Sequence, residues 1–186
     1  MDPSMMKKIN TDRILGISAM VISILTLAIF IYQTDIMRVQ SKLSVKPRLS
    51  FLTSTYTTDS IIKIEGFIYN KGLGPAIVDS IFVEYKGKRF EMDMDEFIKN
   101  QMPDLENYGE LVRNSAMGPG NTFLPGEEAS IYSYHFHPTN LDSIFGYLGI
   151  SSLENSPFEF KVIFTSIYED EKWLVSSESD APIKVD

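Results

Sequence analysis

Between Arg13 and Asp35 the chain runs for 21 residues without a charge, ILGISAMVISILTLAIFIYQT. Wound as an α-helix this stretch spans about 30 Å, the thickness of a bilayer's hydrocarbon core. A helix apolar on every face must be surrounded, and a chain of 186 residues is too short to bury one. A cleaved signal peptide would have a shorter apolar run followed by a small-x-small site. Here the run is followed by DIMRVQSKL, bulky and polar. The pattern predicts a retained transmembrane helix over 14–34, behind a short tail at 1–13. Tyr32 lies at its far end, where an amphipathic ring favours the interface.

Charge divides the chain at the same place. Residues 1–50 hold seven Lys and Arg against three acids, a balance of +4, whereas residues 51–186 hold ten against twenty-two, a balance of −12. So acidic a domain offers no basic face for nucleic acid. The absence of Cys excludes disulfides, thiolate metal sites and cysteine nucleophiles. Three basic residues precede the span and four follow it (Arg38, Lys42, Lys46, Arg48). The four suit an anionic inner leaflet and favour a cytoplasmic C-terminal domain.

Within the span Gly16, Ala19, Ser23 and Thr26 fall on one helical stripe. Small residues there let two membrane helices approach closely, so this stripe is a candidate self-association face. The helical rhythm continues through Tyr32, Ile36, Val39 and Leu43 until Pro47 ends it. A single helix over about 12–45 is expected, with 35–47 forming a juxtamembrane helix and linker.

From residue 48 the pattern becomes that of strands. RLSFLTSTY (48–56), IIKIEGFIYN (61–70), AIVDSIFVEY (76–85), RFEMD (89–93), ASIYSYHFH (129–137), FEFKVIFTSIYE (158–169) and WLVSSES (173–179) are β-branched, aromatic or alternating. Two stretches read as short helices, 93–101 behind a capping Asp93 and 139–149 with Leu141, Ile144, Phe145 and Leu148 at helical spacing. Residues 102–122 read as an excursion loop. Seven antiparallel strands without βαβ alternation predict a mainly β fold over 48–186, an immunoglobulin-like sandwich with two inserted helices; a small closed barrel is the rival.

The chemistry-bearing motifs are weak. NKGLGPA (70–76) lacks the third glycine and the following helix of a dinucleotide fingerprint, and Pro75 removes a donor. Asn70, Gly72, Gly74 and Pro75 read as a structural loop, its glycines needed for positive φ or for a close backbone approach. His135 and His137 alternate on one strand, but no third His exists to complete a zinc site. The acidic groups Asp93/Asp95/Glu96 and Glu169/Asp170/Glu171 read as a helix start and a solvated turn. GxSxG and HExxH are absent. No catalytic, metal or cofactor-binding residue is assigned.

YQTDIMRVQ (32–40), SVKPRL (44–49), YNKGLGPAIVDSI (69–81), LPGEE (124–128) and SIYEDEKW (166–173) together resemble a set of bacterial single-span membrane proteins with a small immunoglobulin-like β-domain. The resemblance implies a bacterial inner-membrane protein whose motifs are structural. Some proteins of similar build resemble effectors of antiviral systems. The expected function is a non-enzymatic, membrane-anchored binding or assembly protein: bilayer-bound, contacting another protein through its β-domain and able to form a homo-oligomer. The alternative is a signal-gated membrane effector whose β-domain senses a small ligand, in a pocket that basic residues would line.

Overall fold

The computed structural model describes residues 11–114, 117–153, 156–169, 171–179 and 181–185. The chain separates into two compact units, Met1–Leu43 and Ser44–Asp186. The first consists, in its described part, of one helix, α1 (Thr11–Ser44), none of whose residues is buried. By length and composition α1 is able to cross a membrane, with a mean hydropathy of 2.7 over its most apolar window. A signal sequence near an N terminus meets the same two criteria. The helix stops three residues before Pro47, as the steric demand of proline on its predecessor requires.

The second unit is mainly β and antiparallel. One sheet is formed by β1 (Leu49–Thr57), β2 (Ile62–Asn70), β7 (Glu128–Phe136) and β5 (Gly109–Asn114), in the order β1-β2-β7-β5. The other follows the order β10-β9-β8-β3-β4, from β3 (Ala76–Tyr85), β4 (Lys88–Phe90), β8 (Phe158–Thr165), β9 (Lys172–Ser176) and β10 (Ile183–Val185). The short β6 (Thr122–Phe123) pairs with β3. A single core joins the two sheets: Leu49, Ile62, Ile68 and Phe136 from the first, Val83, Phe160, Val162, Phe164 and Val175 from the second. Phe51 and Phe160 meet edge to face across it, their centroids 5.6 Å apart.

Two short helices sit in the connections. Asp93 caps α2 (Met94–Gln101) by accepting from Glu96 N–H at 2.9 Å. The buried face of α2 is Met94, Phe97 and Ile98, and the Phe97 ring packs edge-on against Tyr85, Phe90 and Phe158. The second helix, α3 (Leu141–Leu148), buries Ile144 and ends on Gly149 at φ 69°, a left-handed cap that glycine supplies without a Cβ penalty.

The described residues contain ten strands rather than the seven read from the sequence. Residues 102–122 are not one loop: they hold a 3₁₀ turn (Pro103–Asn107), β5 and the start of β6. GELVRN pairs at the edge of the sheet with β7, a partner that local propensity cannot supply. The strand read over 158–169 ends at Thr165, where Glu169 N–H donates to Ser166 C=O at 3.0 Å and Glu169 adopts φ 52°. RFEMD contributes only to β4, because Asp93 is taken by the α2 cap.

Candidate functional site

The two sheets do not cover one another along their whole length. At the start of β1, Leu49 is fully buried. Beyond Phe51 the same inward-facing row continues through Thr53 and Thr55, yet both are exposed. The inner face of the β1–β2 hairpin is therefore opposed there by α3 and the segment leading into β8. Between them lies a cleft of about 710 Å³, walled by Phe51, Thr53, Thr55, Ile64 and Gly66 on one side. Ile144, Leu148, Ile150, Leu153 and Phe158 form the other wall, with Ile98 of α2 and Leu105 beneath.

Gly66 shapes this space. It lies opposite Tyr132 in the β2–β7 ladder, next to a bulge between Gly66 and Phe67. A Cβ at Gly66 would overlap the Tyr132 ring. The missing side chain lets that ring lie against the sheet, which is the close approach that a strand glycine marks. Burial raises the Tyr132 hydroxyl pKa, and a hydrogen bond with Thr53 partly offsets it. Burial also raises that of Tyr134, whose hydroxyl donates to Leu105 C=O at 2.7 Å. Both phenols stay protonated at neutral pH and act only as hydrogen-bond groups. Among the described residues the lining contains no Lys, Arg or His, and Glu178 is its one charged residue. The cleft thus offers apolar surface with a few hydroxyls.

The NKGLGPA loop lies elsewhere and is structural in its contacts. Buried Asn70 uses its whole hydrogen-bonding capacity. Its Oδ1 accepts from Arg48 N–H (3.2 Å) and Gly72 N–H (2.9 Å), and its Nδ2 donates to Gly74 C=O and Phe123 C=O (2.9 Å each). One side chain thereby ties the start of β1, its own loop and β6 together. Neither Gly72 nor Gly74 has a positive φ. A Cβ on Gly72 would collide with backbone at Lys46–Arg48, and one on Gly74 with the Val45 carbonyl. Pro75 follows half-buried, leading into β3.

The remaining candidates do not converge on the cleft. Gly16, Ala19, Ser23 and Thr26 are all exposed on α1, where Ser23 Oγ donates to Ala19 C=O at 2.9 Å. His135 Nε2 lies 3.0 Å from Ser133 Oγ, whereas His137 Nδ1 accepts from Thr139 N–H at 3.3 Å. Both rings border a shallow hollow with Glu106 and Glu110, but among the described residues no group of three or more His, Asp or Glu could hold a metal ion. Asp95 pairs with Lys99 at 2.6 Å and Glu171 with Lys184 at 2.8 Å; Asp170 lies outside the described residues. The sequence reading missed the cleft itself. Its one legible trace was Gly66 inside an otherwise regular strand. No family model matches the chain, and no curated protein matches it in sequence.

Proposed function

We propose that this chain is a non-enzymatic, membrane-anchored binding and assembly protein, held in a bacterial inner membrane by α1 with its β-domain on the cytoplasmic side. Its domain is an immunoglobulin-like sandwich. In support, β1-β2-β7-β5 opposite β9-β8-β3 follows the A-B-E-D and G-F-C orders of that fold. The observation that carries the binding role is the apolar cleft at the open end of the sandwich. Its volume, its aromatic and aliphatic walls and its few hydroxyls suit apolar side chains of a partner protein, and among the described residues it gathers no acid–base pair.

The same volume also supports a second reading, the ligand-sensing membrane effector, because small-molecule pockets span roughly 300–1,000 Å³. Among the described residues no basic side chain lines the cleft, which favours an uncharged, largely apolar molecule over a nucleotide. A photo-cross-linking residue at Thr55 in the membrane-embedded full chain separates the two. A discrete protein adduct, lost when Ile64→Trp fills the cleft, is the expected result. A stoichiometric small molecule in the purified chain, lost with the same substitution, would favour the sensor. An adduct that Ile64→Trp leaves unchanged would exclude the cleft as the binding element.

A further inference from the structure

Sheet edges are templates for pairing with another chain, and folded proteins blunt them with short strands, charges, prolines or bulges. Among the described residues three of the four sheet edges are blunted, counting as one the edge that β4 shares with the two-residue β6. β4 and β10 are three residues long and carry Lys88, Arg89 and Lys184. β5 carries Glu110 and a bulge between Leu111 and Arg113. The fourth edge, β1, is nine residues long, LSFLTSTYT, with no charge, proline or glycine and an unbroken register against β2. In a domain with a balance of −12 it is the one long edge strand among the described residues that carries no charge. Residues 52–57 are exposed.

The direction of the free backbone groups follows from the ends of the β1–β2 ladder. Lys71 N–H donates to Arg48 C=O at 2.8 Å, and Thr58 N–H to Ile61 C=O at 2.9 Å. Antiparallel pairing alternates, so the even-numbered residues of β1 face β2, and Phe51, Thr53 and Thr55 direct their N–H and C=O groups outward.

The geometry points to β1 as a self-pairing edge, at which two copies of the chain join antiparallel about Thr53 into one continuous sheet. In that register Thr53 faces its own counterpart and Phe51 faces Thr55 of the second copy, so every pair uses outward groups. The charges flanking the strand decide for a second copy in this orientation. Lys46 and Arg48 precede it and Asp59 follows it, all exposed. Antiparallel self-pairing brings the basic end of each copy to the acidic end of the other, whereas a parallel pair would set like charges together. The arrangement is two-fold and self-limiting, as closed dimers are. It also aligns the two clefts, since Phe51, Thr53 and Thr55 line them, but it does not depend on what the clefts bind.

The chain has no Cys, so one introduced cysteine reports cleanly. Opposed residues of a hydrogen-bonded antiparallel pair have Cα atoms about 5.5 Å apart, within disulfide reach. Thr53→Cys in the full-length protein in isolated membranes should give a disulfide dimer of twice the chain mass under mild oxidation. Thr57→Cys should not, because the two copies of residue 57 would lie roughly 25 Å apart. In the Thr53→Cys background, Thr55→Pro removes an outward N–H without touching the β2 ladder, and Leu52→Lys adds a charge on the exposed face. Each should cut the dimer yield at least fivefold while the fluorescence of the single Trp173 stays native. The proposal is overturned by no dimer with Thr53→Cys, by equal yields at positions 53 and 57, or by an adduct with a different protein. It also fails if Ala19→Leu with Ser23→Leu abolishes the dimer while Thr55→Pro and Leu52→Lys do not.

Discussion

Asn70 shows how much of this domain rests on single side chains. Removing its amide strands backbone groups of three separate segments in a buried site, at about 1–3 kcal/mol for each group left unsatisfied. Asn70→Ala should therefore destabilise the domain by about 2–4 kcal/mol, read from the denaturant midpoint of Trp173 fluorescence in detergent-solubilised protein. Gly74→Val acts on the same junction through overpacking against the Val45 carbonyl and should cost about 1–3 kcal/mol. An unchanged midpoint in either variant would show that the junction is not required. Glu65 carries a pH dependence. Its hydrogen bond from Lys63, with Lys63 Nζ at 2.8 Å, outweighs the opposing effect of burial and holds its pKa below the ordinary carboxylate value. A depressed folded pKa contributes stability above the unfolded value and loses it as the pH falls through the folded one. The stability difference between wild type and Glu65→Gln should therefore be largest near neutrality and shrink below about pH 4; a difference independent of pH refutes this.

At the scale of elements, α1 and the strands were legible to different degrees. The apolar run made α1 legible and Pro47 bounded its end, because composition and the steric reach of proline both act locally. Strands β2, β3 and β7 were legible because one of their faces is largely buried and alternation records it, and β1 through its β-branched and aromatic residues. β5 and β10 were not, since an edge strand of mixed polarity is created by its neighbour. Lys161 of β8 also acts between elements. Burial opposes its charge, but Glu84 on β3 (2.8 Å) and Glu159 (3.0 Å) outweigh that and raise its pKa. For α1, the small-residue stripe predicts weak self-association through close packing in lipid. Ala19→Leu with Ser23→Leu should lower the cross-linked dimer yield from cysteines placed in α1, and Leu25→Ala should not. Equal yields in all variants would make the stripe a coincidence.

Two units of opposite charge make up the whole molecule. The four basic residues after the span hold residues 51–186 on the cytoplasmic side in the reading proposed above. A periplasm-dependent phosphatase fused to the C terminus should then be inactive in intact cells. An active fusion would reverse the orientation and place the acidic domain outside.

What the sequence determined by itself was whatever depends on near neighbours along the chain: the apolar helix, the α2 cap at Asp93 and the alternation of the buried strands. The glycine loop was legible as a turn, but the reason for its glycines was not, because the Val45 carbonyl and the Lys46–Arg48 backbone lie some 25 residues away in the chain and only the fold brings them close. The cleft, apart from its trace at Gly66, and the bare edge of β1 belong to the tertiary structure. Thr53 and Thr55 alternate like any buried-face residues; their exposure follows from where the second sheet ends. β1 reads as any other strand, and it becomes an edge only because β2 is the one described strand that pairs with it.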